Sequence, residues 1–160
     1  MGVCLSLCGH AEDGRPISRE YQLKTAYLFH FAELAEWPEA AAVTICLQGN
    51  NPIRAHLPVL NGQQIDNKAV RVKLGVPIAV EECQILFFSD LNALSAKVLE
   101  QAQKYHVLLV SDADDFAQKG GMIQFTLRDN KLKLVVNLAS VKSAGLKLSS
   151  KLLRMAEILE

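Results

Sequence analysis

Three short runs that read as buried strands constrain this chain most: the β-branched Val43–Gln48 (VTICLQ) and the apolar Gln84–Phe88 (QILFF) and Val107–Val110 (VLLV). A strand with one wet face alternates apolar and polar residues, whereas a continuous run reads as buried on both faces. Sheets covered on both sides are mostly parallel, because each crossover lays a helix against a face. The intervening segments fit that scheme. Tyr21, Leu23, Tyr27, Leu28, Phe31, Leu34 and Ala35 recur at helical spacing and predict a helix from an N-cap at Ser18 to about Trp37, stopped by Pro38. A short helix is expected after Pro52, ended by a turn at Asn61-Gly62. Leu94, Val98, Leu99 and Ala102 face inward on another helix around Ala93–Tyr105, entered through a loop capped by Ser89 or Asp90.

Ala69–Leu74 (AVRVKL) alternates and reads as a half-exposed strand. Met122–Leu127 and Lys131–Val136 flank Arg128-Asp129-Asn130 as a β-hairpin. Asp112–Gln118 is expected as a short helix. Ala139–Leu159 is expected to be helical, broken near Gly145, with Ser149 capping its second half. The fold class that follows is α/β: a single-domain sandwich with a mostly parallel central sheet, a C-terminal β-hairpin and flanking helices.

Composition narrows the function. At 160 residues one domain is expected, and half the residues are hydrophobic, too many for a disordered chain. A chain of this size buries roughly 70% of its unfolded surface, so it needs neither a metal nor a disulfide scaffold to fold. Lys plus Arg and Asp plus Glu both number 17, so no basic excess marks a general nucleic-acid binder. No stretch approaches the ~20 consecutive apolar residues of a membrane span. Met1–Ala11 (MGVCLSLCGHA) lacks a basic n-region, yet Gly9-His10-Ala11 fits a small-x-small cleavage site before Glu12. It reads as the tail of a signal peptide whose start is truncated or misassigned, leaving residues 12–160 as the working domain; the alternative is an N-terminal extension. The myristoylation pattern at Met1–Ser6 and the poor lipoprotein box before Cys8 are short matches and are discounted.

An ordered set of residues then carries a resemblance. It runs from an aromatic helix ending Trp37-Pro38 through Ile45-Cys46-Leu47-Gln48-Gly49, Leu60-Asn61-Gly62 and Cys83-Gln84-Ile85-Leu86-Phe87. It continues with Val110-Ser111-Asp112, Phe116, Gly120-Gly121-Met122-Ile123, Val136-Asn137-Leu138, Ala144-Gly145-Leu146 and Ser149-Ser150-Lys151-Leu152-Leu153. In this order the residues resemble the YfiR family of bacterial periplasmic proteins, over Tyr21–Leu159. The resemblance implies a periplasmic repressor that binds the sensor part of an inner-membrane diguanylate cyclase, or of a sensor kinase, and holds it inactive. It further implies an outer-membrane lipoprotein that sequesters the repressor, cyclic-di-GMP and biofilm growth as the output, and a homodimer; separately, no cofactor and no nucleic-acid partner are expected.

Cys46 and Cys83 match a disulfide-forming pair of that family. Their strands are able to neighbour one another in a doubly wound sheet, and a bridge would contribute roughly 3–4 kcal/mol. The alternative is two buried free thiols. A second pair found in YfiR proteins is missing here, where Phe125 and Leu132 stand in that region.

Other chemistry is sparse. His10, His30, His56 and His106 form no close ligand spacing, and no catalytic or metal residue is assigned. Asp112, Asp114 and Asp115 follow a strand, where they would either hold a cation or cap a short helix. Gly49-Asn50-Asn51-Pro52 and Gly120-Gly121 are candidate anion cradles without a phosphate-loop pattern. A partner surface is placed at Val135, Asn137, Val141 and Leu146, because Val135 is a lone apolar residue on a strand face shared with Lys131 and Lys133. The competing reading is that a covering helix buries Val135 and Val141 while Asn137 caps it. The leading functional expectation is a non-enzymatic periplasmic inhibitor. The second is a ligand- or redox-sensing periplasmic protein without a cyclase partner.

Overall fold

The computed structural model describes residues 16–75 and 77–159. The signal-peptide reading of residues 1–11, with Cys4, Cys8 and His10, lies outside them. Helix α1 (Pro16–Leu34) begins two residues before Ser18, which is therefore inside the helix rather than its cap. Its last turn passes into a short strand, β1 (Ala35–Glu36).

The eight-stranded sheet has the order β10-β8-β7-β6-β5-β2-β4-β3. Its centre is β2 (Ala42–Gln48), β5 (Ile85–Phe87) and β6 (Leu108–Ser111), whose apolar runs are buried as expected. These run parallel to one another, to β4 (Lys68–Gly75) and to β7 (Ile123–Arg128). Against that direction run β8 (Lys131–Asn137), its parallel neighbour β10 (Ala156–Leu159), and the two-residue β3 (Gln64–Ile65). Two tight hairpins close the antiparallel pairs. Asp129 and Asn130 join β7 to β8, and Asp66 and Asn67 join β3 to β4, all four at positive φ as the favoured two-residue hairpin turn requires.

The path from β2 to β4 passes through two 3-10 turns, Pro52–Ala55 and Leu57–Leu60, where a short helix was expected. The path from β5 to β6 passes through α2 (Ala96–Tyr105), whose N-cap is Ser95: the Val98 amide donates to its Oγ at 3.1 Å. Asp90 instead caps the preceding 3-10 turn at Leu91–Ala93. Consecutive residues Phe87 and Phe88 point to opposite faces of the sheet. Phe87 meets Phe125, which stacks on Phe31 of α1, while Phe88 meets Phe116 edge-on. Helix α1 therefore covers one face. The Phe116 segment and α2, whose Leu99 lies against Gly120, cover the other.

Two expectations fail after β6. Residues 113–119 form turns rather than a helix, because Asp115 adopts φ 64°. The final segment is not one broken helix. It forms α3 (Leu138–Ser143), β9 (Lys147–Leu148), α4 (Ser150–Arg154) and β10. Ser149 does cap α4, accepting from the Leu152 amide at 3.2 Å. Strand β9 pairs with β1, and the Ser149 amide donates to Leu34 O at 2.8 Å. Backbone pairing along β8 and β1 overrides the helical pattern of this segment.

Candidate functional site

In open α/β sheets ligands bind beyond the carboxyl ends of the strands, where successive crossovers leave to opposite faces. Here that point lies between β2 and β5, since β2 feeds the α1 face and β5 the other. The sequence places Asn51 after β2, Ser89 after β5 and Asp112 after β6. The Asn51 amide nitrogen donates to Ser89 Oγ and lies 3.5 Å from Asp112 Oδ2. Asn51 Oδ1 meanwhile accepts from the Ile53 amide at 2.8 Å and caps the first 3-10 turn.

From α1, Lys24 reaches into this end of the sheet with 3% of its surface exposed. Its Nζ donates to Asp112 Oδ2 at 2.9 Å and to Glu20 Oε2, and lies 4.6 Å from the centre of the Tyr21 ring. Burial pulls the Lys24 pKa down, but its hydrogen bonds to Glu20 and Asp112 outweigh that and leave it above the ordinary lysine value. Burial also pushes the Tyr21 hydroxyl up. A cleft of about 250 Å³ opens beside the cluster, lined by Glu20, Lys24, Asp112, Asp114, Phe125 and Leu132 among others. The arrangement fastens α1 to the carboxyl end of the sheet through one ammonium shared between two carboxylates. Sequence reasoning missed Lys24; the visible signal was Glu20 four residues before it on one helix face.

The acidic group separates accordingly. Asp112 serves Lys24, Asp114 is exposed, and Asp115 sits in a left-handed turn. Among the described residues no three His, Cys, Asp or Glu are placed to hold a metal. The glycine amides expected to cradle an anion are used within the fold: Gly49 donates to Gly75 O at 3.0 Å, Gly121 to Phe116 O at 2.9 Å, and Gly120 to Ala117 O at 3.3 Å.

Cys46 and Cys83 are joined by a disulfide with Cα atoms 5.9 Å apart, and both residues are buried. His106, at the left-handed C-cap of α2, donates from Nδ1 to Ala144 O at 2.7 Å. His30 lies exposed beside Glu33, and His56 joins the two 3-10 turns.

The expected partner surface is built differently from the sequence reading. Val135 is 2% exposed, Val141 fully buried and Leu146 4% exposed, so none presents its side chain as surface. The cause lies in the turn at 113–119. Gln124, directly opposite Val135 on β7, accepts from the Ala117 amide at 2.9 Å, and Asn137 donates to Ala117 O at 2.8 Å. Two side-chain amides thus strap that turn across the face that bears Val135. Asn137 also caps α3, accepting from the Ser140 amide at 3.1 Å, and α3 carries Val141 into the core. The four residues form a support beneath a surface whose exposed neighbours are Lys131, Lys133, Lys142 and Lys147.

No helix among the described residues is long and apolar enough to cross a membrane. No curated protein matches the chain. The family model described as YfiR/HmsC-like matches residues 21–157.

Proposed function

The chain belongs to the YfiR/HmsC-like family, and from that premise we propose that it is a periplasmic regulator that holds a membrane diguanylate cyclase inactive by binding its periplasmic sensor domain. The family match, which runs from Tyr21 on α1 into the start of β10, carries this reading. The Cys46–Cys83 disulfide supports the compartment, since such bonds persist in oxidising surroundings and are rare in the cytosol. A regulator of this kind acts by binding the inactive sensor conformation more tightly than the active one. That calls for a rigid body with a defined surface, and the doubly covered sheet supplies one. In this proposal Val135, Asn137, Val141 and Leu146 set the shape of the surface around β8 and α3 from beneath, and the exposed lysines there meet the partner.

The test is co-purification of the exported protein with the periplasmic domain of a membrane diguanylate cyclase from the same cell. The two are expected to elute together and to separate when Lys131 and Lys133 are changed to Glu. Independent elution of both folded proteins contradicts the proposal.

A further inference from the structure

The net charge of zero conceals a partition. Residues 128–160 carry seven Lys and Arg against three Asp and Glu, and residues 1–127 carry ten against fourteen, so the chain divides into a part at +4 and a part at −4. The seven cations lie on the end of β7 and on β8, α3, β9 and α4, and all are exposed. Three of them share one sheet face. Arg128 stands directly opposite Lys131 in the β7–β8 register, and Lys133 follows two residues on, about 7 Å away. Like charges directly opposite on neighbouring strands are destabilising. One acid answers them. The Arg128 side chain crosses β8 to Glu157 on β10, donating from Nη1 to Oε1 at 2.6 Å and from Nη2 to Oε2 at 3.2 Å. Lys131 and Lys133 form no ion pair among the described residues.

We propose that this face, with Arg128, Lys131 and Lys133 as its cations and Glu157 fixing the guanidinium, receives an acidic segment of a partner protein. A partner carboxylate set between Arg128 and Lys131 turns one repulsion into two attractions, which is charge complementarity of the kind that steers and orients a complex. A hairpin that keeps a like-charge pair beside its turn breaks a local stability rule, and such breaks concentrate where function requires them. A lipid surface lacks what it needs here. Strand alternation sends Leu127 and Leu132 to the α1 face, where they line the cleft beside Lys24, so no exposed apolar side chain accompanies the three cations into a bilayer. The inference deepens the regulatory reading and rests on it for the partner's being a sensor domain; the charge of the docking segment is read from this face alone.

The experiment measures binding of the full chain to fluorescent poly-L-glutamate and to phosphatidylglycerol vesicles. Polyglutamate is expected to bind, and to weaken about tenfold or more between about 0.05 and about 0.3 M salt, as screening shortens. Lys131→Glu with Lys133→Glu should abolish binding, while Lys97→Glu with Lys104→Glu, the same charge change on α2, should leave most of it. Lys131→Glu alone should also raise the thermal midpoint, since it replaces a like-charge pair with an opposite one. No binding to polyglutamate overturns the proposal, as does equal loss in the α2 variant, or capture by the vesicles in place of polyglutamate. Polyglutamate binding by a protein that fails to co-elute with a cyclase domain upholds the acidic partner and removes the cyclase.

Discussion

Lys24 departs furthest from what its residue type predicts, an ammonium almost fully buried between two carboxylates and an aromatic ring. Lys24→Met keeps the length of the stem and leaves Glu20 and Asp112 without their cation. The expected loss is about 3 kcal/mol, at the lower end of the range for a broken buried pair because both acids keep some contact with water. The same residue gives a pH dependence. A folded-state pKa raised above the ordinary 10.5 adds stability that is fully present below that value and is lost as pH rises through the higher folded value. Alkaline unfolding of the wild type should therefore steepen above the ordinary lysine range, and Lys24→Met should remove that component. A second residue prediction concerns Gly121. A Cβ there would stand 2.2 Å from Phe116 Cε2, inside a ring packed edge-on against Phe88. Gly121→Ala should cost about 3 kcal/mol as overpacking, read as a lowered urea midpoint. The sequence showed Glu20 and Lys24 at helical spacing, but Asp112 lies 88 residues further on, and only the fold makes them neighbours.

At the scale of elements, the legible parts were those with local signals. The apolar runs of β2, β5 and β6, the hairpin turn at Asp129-Asn130 and the Ser149 cap all announce themselves within a few residues. The C-terminal segment was not legible, because Lys147–Leu148 and Ala156–Leu159 owe their conformation to β1 and β8 rather than to their own pattern. The buried side of Val135 was hidden for the same reason. Lysines alternate with apolar residues at the start of β8, but the turn that covers its end comes from 113–119. Asn137 ties these pieces together by capping α3 and holding Ala117 O. Asn137→Ala should cost about 2 kcal/mol, the combined loss of a cap and of a buried donor. Asn137→Asp should recover part of that by keeping the capping oxygen, with the two variants compared by chemical denaturation.

At the scale of the whole molecule, the disulfide and the family match are the two observations behind the proposed exported regulator. The Cys46–Cys83 bond closes a loop of 37 residues. Replacing both with Ala should lower stability by about 4 kcal/mol and the midpoint of thermal unfolding by about 10 °C, because the unfolded chain is no longer held. Calorimetry of the variant beside the parent checks it. The central proposal is that this body restrains a membrane cyclase from the periplasm. The direct measurement is cellular cyclic-di-GMP in the source bacterium with the gene deleted, restored with export, and restored without it. A rise on deletion that only the exported protein reverses is expected, and an unchanged level on deletion overturns the proposal.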